Sequence, residues 1–245
     1  MKSFNGKSYA VFDIDGTLYR WQLFHELVQE LTFTDVYPDN VFHDINERWN
    51  KWRGGSLSFD AYESYIVETL MRYLPLIPVT TFLATCDKVV SQSQHKTYHY
   101  TRRLLQDLKA KGYVIIAISG SQQELLDAFG THYGFDIVIG AAYEHDGKHF
   151  SGRITRPTVG RKHIILQELI KTHGLSPRGS RAIGDSEGDI PVLELVEQPV
   201  AFNPSAGLLE HARSRDWPIV IERKNIAYRL ETRHDELVLA ETITY

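Results

Sequence analysis

"YAVFDIDGTLY", residues Tyr9 to Tyr19, is the stretch on which the reading of this chain turns. It opens as a short apolar run of β-forming residues and ends on acid. Asp13 and Asp15 stand two positions apart, so on an extended strand both carboxylates leave the same face. Like charges held that close repel each other and need a compensating cation or a shared proton. A buried strand that runs directly into such a pair is delivering charge to a site.

Further apolar runs share the character of the first. "YVIIAIS" (Tyr113 to Ser119), "FDIVIG" (Phe135 to Gly140), "RAIGD" (Arg181 to Asp185), "PVAFN" (Pro199 to Asn203) and "PIVIE" (Pro218 to Glu222) are short, and their apolar residues are continuous rather than alternating. Continuous runs predict strands covered on both faces. Between them "TRRLLQDLKAKG" places Leu104, Leu105 and Leu108 on one helical face and stops at Gly112. "KHIILQELIKTHG" does the same with Ile165, Leu166, Leu169 and Ile170 before Gly174. This β/α alternation predicts an α/β fold with a doubly wound parallel sheet.

Two segments depart from the rhythm. "YEHDGKHFSGRI", Tyr143 to Ile154, centres on Asp146-Gly147, which signals a hairpin; His145 and His149 flank its tip and read as solvated surface residues. Residues 18–95 are aromatic-rich and helical by pattern, with a Gly-Gly break inside "RWNKWRGGSLSFDAYESYIVETLMRYLPLIP". The expected organisation is an α/β core of residues 1–17 and 96–222, a small all-helical insertion over 18–95, and a tail over 223–245 that the sequence leaves undecided between strand, packing arm and frayed end.

Composition narrows the setting. The chain has 245 residues, 27 basic and 31 acidic side chains and a net charge of −4, with no long basic run, so a general nucleic-acid binder is not expected. The longest wholly aliphatic run, Val114 to Ile118, is too short to cross a bilayer. The start, "MKSFNGKSYA", lacks the apolar stretch of a secretory signal. One cysteine, Cys86, has no partner for a disulfide, which fits a reduced, cytoplasmic setting. Oligomeric state is not readable.

A second acidic pair extends the first. "IGDSEGDIPVL", Ile183 to Leu193, ends a strand on Asp185 and places Asp189 four positions later at a helix start. In a doubly wound sheet the carboxyl ends of parallel strands share one rim, so Asp13, Asp15, Asp185 and Asp189 can converge there. Such a set of oxygen donors suits magnesium, held through a few carboxylates plus a substrate phosphate. The remaining strand end, "ISGSQQ", brings Ser119, Gly120 and a helix N-terminus, an anion cradle. Lys162 adds a positive charge. Arg161 is its rival, and Lys162 is preferred because Ile165 and Leu166 follow three and four residues later on the same helical side.

Taken together, "DIDGT", "ISGS", Lys162 and "GDSEGD" resemble the four motifs of the haloacid dehalogenase (HAD) superfamily, over roughly residues 9 to 222, in its phosphoserine-phosphatase-like branch. The helical insertion resembles that family's first type of cap domain. The resemblance implies that Asp13 is a nucleophile forming an aspartyl-phosphate, that Asp15 is the general acid and base, and that Thr17, Ser119 and Lys162 hold the transferring oxygens. It further implies magnesium held by Asp13, the Asp15 backbone carbonyl and Asp185, with Asp189 supporting the site through a metal-bound water or by orienting Lys162.

The expectation is therefore a magnesium-dependent phosphatase for a small phosphomonoester. A phosphotransferase, a phosphoserine phosphatase, a phosphatase of protein or nucleic acid, and a non-catalytic phosphate-binding protein remain as alternatives. Phosphoserine phosphatases place a glutamate shortly after the first motif and an arginine in the cap, whereas here the first position is Gln22 and "FDAYESYIVETL" has no arginine. Trp49, Trp52, Phe59 and Tyr62 read as the insertion's own core or as the lining of a pocket.

Overall fold

In the computed structural model, which describes residues 4–245, strand β1 (Ser8–Phe12) lies inside a nine-stranded sheet. Residues 1–3 of the expected core lie outside the described residues. On one side of β1 run β2 (Val114–Gln122) and β3 (Ile137–His145); on the other run β5 (Ser176–Gly184), β6 (Gln198–Phe202) and β7 (Ile219–Arg223), all parallel. The chain leaves β1 in one direction and returns on its other side at β5, so the order reverses between β1 and β5. A doubly wound sheet opens a crevice at such a reversal, outside the carboxyl ends of the strands.

Both faces are covered, as the continuous apolar runs require. Alternate residues divide the core: Ala10, Phe12, Ile115, Ala117 and Ile183 join one buried cluster, and Tyr9, Val11, Val114, Ile116 and Ala182 join the other. The first is packed by α5 (His99–Ala110) and α6 (Gln123–Tyr133), the second by α7 (Lys162–His173), α8 (Ile190–Leu193) and α9 (Ala206–Ser214). Each fully buried Leu, Ile or Phe contributes about 1.5–3 kcal/mol.

Between β1 and α5 stand four helices, α1 (Leu23–Leu31), α2 (Asn40–Arg53), α3 (Phe59–Tyr73) and α4 (Val79–Ser93). The Gly-Gly break ends α2, Gly55 adopts a φ of 77°, and the Ser58 hydroxyl caps α3 by accepting from Ala61 N at 3.2 Å. Leu23, Leu27, Ile66 and Phe82 belong to the same buried cluster as Phe12, so the insertion shares the core of the sheet. The chain enters and leaves it side by side: Arg20 N donates to Lys96 O at 2.9 Å and Tyr98 N to Leu18 O at 3.1 Å. Glu222, buried on β7, accepts from Arg20 Nη2 at 2.7 Å and from the first amides of α5, His99 N at 3.0 Å and Tyr100 N at 2.8 Å.

Antiparallel strands finish both edges. The Asp146-Gly147 hairpin forms between β3 and β4 (Phe150–Arg156), with His145 and His149 exposed at its tip. The tail, undecided in the sequence, is a hairpin of β8 (Ile226–Arg233) and β9 (Glu236–Thr244) that extends the sheet beyond β7. A core boundary at residue 222 therefore falls inside the sheet: Ala227 is wholly buried, and Leu230, Leu237 and Ile243 pack against the core.

Candidate active site

Strand β1 ends one residue before Asp13, whose amide donates to Ile183 O on β5 at 3.0 Å. This ladder bond continues the sheet to its rim and sets Asp13 at the crevice between β1 and β5. Lys162, the first residue of α7, reaches in from the side: its Nζ donates to Asp13 Oδ1 at 2.6 Å and to Asp189 Oδ1 at 2.7 Å. Arg161, the alternative cation, is exposed.

Asp15 accepts three bonds: from Ser119 Oγ at 2.6 Å and Ser121 Oγ at 2.7 Å, both at the end of β2, and from Leu23 N, the first amide of α1, at 2.6 Å. Gly16 turns the chain away at a φ of 85°, and a Cβ there would stand 2.2 Å from Asp185 Oδ2. The position thus requires glycine for both conformation and space. Thr17, wholly buried, donates to Asp185 Oδ1 at 2.8 Å. Asp189 is held on its other oxygen by the amides of Asp185 and Ser186 at 3.2 and 3.1 Å and by Ser186 Oγ at 3.0 Å.

Asp13, Asp15, Thr17, Ser119, Lys162, Asp185 and Asp189 meet here, although two hydroxyls have different partners from those expected. Thr17 and Ser119 are engaged by Asp185 and Asp15 respectively, where the expectation had them free to hold phosphoryl oxygens. Asp189 is bonded to Lys162 and to its own turn, which fits the orienting role of the two expected for it. Gly120 is exposed between Ser119 and Ser121 near the end of β2.

The electrostatics follow from this crowding. Burial raises the Asp13 carboxyl well above its ordinary range, Lys162 draws it back, and Asp189, Asp185 and Asp15 push it up again. Burial likewise lifts Asp185 to about 7, with Asp189 adding to the rise. Asp15 is raised by burial against the lowering effect of its three hydrogen bonds. Burial opposes the charge on Lys162, but Asp13 and Asp189 outweigh it and raise its pKa. One ammonium pairs with two acids, Asp13 and Asp189, while oxygens of Asp13, Asp185 and Asp189 lie within 4.8 Å of one another. This hard, oxygen-only and negatively overcharged donor set fits a divalent cation such as magnesium.

The sequence reading missed Ser121, which lay within "ISGSQQ", and two residues of the insertion. His25 is 4% exposed, and neither ring nitrogen has a partner. It sits among rings, 5.2 Å from Tyr62 and 5.6 Å from Trp21, and burial pulls its pKa down to about 4. Glu63 on α3 is half-buried and has no hydrogen-bond or ion-pair partner among the described residues; burial and the nearby Asp15 raise its pKa. Trp21 links this region to the turn after β1, because its carbonyl accepts from Gly16 N at 2.9 Å while its ring lies 5.0 Å from Trp49, 5.3 Å from Trp52 and 6.2 Å from Phe59. Tyr62 is buried; Trp49, Trp52 and Phe59 are only half-buried, so the cluster is a core with one side open.

Fold and site together define a doubly wound α/β protein with a carboxylate-rich centre at its order reversal. The chain belongs to the haloacid dehalogenase-like hydrolase family, whose sequence pattern it matches over residues 10–194. It is 26% identical over 224 residues to a histidinol-phosphatase of Neisseria meningitidis serogroup C, covering 87% of this chain and 98% of that protein. It is 25% identical over 199 residues to a phosphoserine phosphatase of Archaeoglobus fulgidus, covering 80% of this chain and 53% of that longer protein. Among solved structures, a protein of unknown function from Bordetella pertussis Tohama I superposes with a TM-score of 0.70 at 22% identity over 89% of this chain and 99% of that one. A phospho-aspartyl intermediate analogue of phosphoserine phosphatase superposes with a TM-score of 0.57 at 20% identity over 90% and 95% of the two chains. At these identities the superpositions establish the fold. No described helix is long and apolar enough to cross a membrane.

Proposed function

We propose that the chain is a magnesium-dependent phosphatase that hydrolyses a small phosphomonoester through an aspartyl-phosphate on Asp13. The observation that carries this reading is the division of labour between the two first acids. Asp13 is paired with the Lys162 ammonium at 2.6 Å, whereas Asp15 is hydrogen-bonded only to neutral donors. The bonded ammonium favours the charged, nucleophilic form of Asp13 against the burial that raises both carboxyls, and Asp15, with no cation bonded to it, is the acid assigned to carry the proton.

In the first step an Asp13 oxygen bonds to phosphorus as the ester P–O bond breaks. Asp15 passes its proton to the departing alkoxide, and the free alcohol leaves. In the second step Asp15, now ionised, takes a proton from water, which attacks the same phosphorus and releases phosphate and the Asp13 carboxylate. Lys162 neutralises Asp13 and the approaching phosphate, with Asp189 fixing its position, while Gly120 and the α6 N-terminus flank the phosphoryl group. Asp13, Asp185 and the Asp15 backbone carbonyl would hold magnesium, supported by Asp189; when bound, the ion supplies the positive charge that lets a carboxylate meet a phosphate dianion.

The test is hydrolysis of 4-nitrophenyl phosphate with and without magnesium, by the parent and by Asp13→Asn. Turnover that stops on chelation, returns with magnesium and is absent in the variant is the expected result. An inactive parent or an active Asp13→Asn variant refutes the mechanism.

A further inference from the structure

We infer that a basic groove beside α5, separate from the carboxylate centre, binds a small multivalent oxyanion of the di- or triphosphate class. The groove encloses about 450 Å³ between α5, the C-terminal end of α6 and the segment that leaves the insertion. That volume is the size of a small-molecule site. Its lining brings together Arg102 and Lys109 of α5, His132 of α6 and His95 of the exit segment, against buried Leu105 and half-buried Tyr133. None of Asp13, Asp15, Lys162, Asp185 and Asp189 lines it, so the inference does not depend on the phosphatase reading.

Although the chain has 31 acidic side chains against 27 basic ones, no aspartate or glutamate lines this groove. Its two permanent cations are bonded only to groups without negative charge. Arg102 donates to Thr97 Oγ1 at 3.2 Å and lies 3.0 Å from His99 Nδ1, and Lys109 donates to Tyr133 O at 2.8 Å. Neither has a carboxylate at ion-pair distance among the described residues. The neighbouring charges are turned elsewhere: Lys96 is bonded to Glu26 at 3.1 Å, and Asp107, the one acid of α5, stands about 140° round the helix from Arg102. Cations collected without a counter-ion repel one another and are relieved by an anion between them. Arg102 and Lys109 are seven residues apart, about 10 Å along the helix axis, so an anion with several charged groups can engage both while a single phosphate meets one. His95 and His132 add ring N–H donors at the sides. The wall is also built in advance of any ligand, because Tyr133 OH donates to Gln94 O at 2.5 Å and fastens the segment carrying His95 to α6.

Isothermal titration calorimetry of the full chain tests this with tripolyphosphate, orthophosphate and citrate, in magnesium-free buffer of low ionic strength so that the anions stay uncomplexed and unscreened. Tripolyphosphate is expected to bind about tenfold or more tightly than either of the others. Arg102→Gln and Lys109→Gln are each expected to weaken it about tenfold, and to leave magnesium-dependent hydrolysis of 4-nitrophenyl phosphate at the parent's level. Lys109 is exposed and bonds a single carbonyl, so its substitution is mild, and circular dichroism confirms that both variants are folded. No binding by the parent, equal affinity for orthophosphate or citrate, or tripolyphosphate binding that survives both substitutions overturns the assignment. Failure of the parent to hydrolyse 4-nitrophenyl phosphate counts against the phosphatase reading alone.

Discussion

Asp15 is positioned by residues from three elements: Ser119 and Ser121 at the end of β2, Leu23 at the start of α1, and its own turn after β1. The two hydroxyls bind one oxygen, and in the proposed mechanism their loss lets the carboxyl rotate away from the departing alkoxide. The Ser119→Ala/Ser121→Ala double variant is expected to lose roughly 10²-fold in kcat with a small change in KM, measured on 4-nitrophenyl phosphate. At this scale much of the site was legible. Asp13, Asp15 and Asp185 follow apolar runs, and strand ends of a doubly wound sheet have only one rim to share. His25 was not legible, because its burial depends on how α1, α2 and α3 pack.

The insertion shows what an unsatisfied group does to a whole element. His25 is fixed on α1 between the rings of Trp21, Phe59 and Tyr62, with both nitrogens unpartnered. Its folded pKa of about 4 lies below the ordinary value of 6.5, so between these pH values the unfolded chain binds a proton that the folded chain does not. Stability therefore rises with pH through that window; the contribution is complete above about 6.5 and is lost as pH falls toward 4, by at most about 3 kcal/mol. His25→Phe should flatten this part of the acid-unfolding curve, as followed by urea midpoints at pH 7 and pH 4.5. An equal pH slope in parent and variant would show that other groups carry the acid sensitivity. Nothing in the local pattern signals this, since a histidine four residues after a tryptophan reads equally well as surface or core.

At the scale of the molecule, the tail is the element whose role changed most between sequence and structure. β8 mixes charge with apolar residues because one of its faces is half-covered, and its turn to β9 uses His234 and Asp235 at φ values of 50° and 63°. A two-residue turn with both positions left-handed is usually marked by glycine or asparagine, and neither is present to signal it. Once formed, the hairpin covers β7, whose Ile219 and Val220 are wholly buried. Truncation after Arg223 is expected to expose that edge, lower the melting temperature by several degrees or more and increase aggregation, as read by scanning fluorimetry and light scattering. An unchanged melting temperature would mean the hairpin is an ornament of the fold.

The insertion is also tied down unevenly. The start of α1 is bound to Asp15, and α4 is fastened at both ends: Val79 N donates to Lys148 O of the β3–β4 hairpin at 2.8 Å, and Tyr133 OH on α6 donates to Gln94 O at 2.5 Å. The bend joining α2 to α3, with Gly54 and Gly55 exposed within it, has no such anchor to the sheet. The amides of this bend are therefore expected to exchange with solvent faster than those of α1 and α4, as read by hydrogen–deuterium exchange.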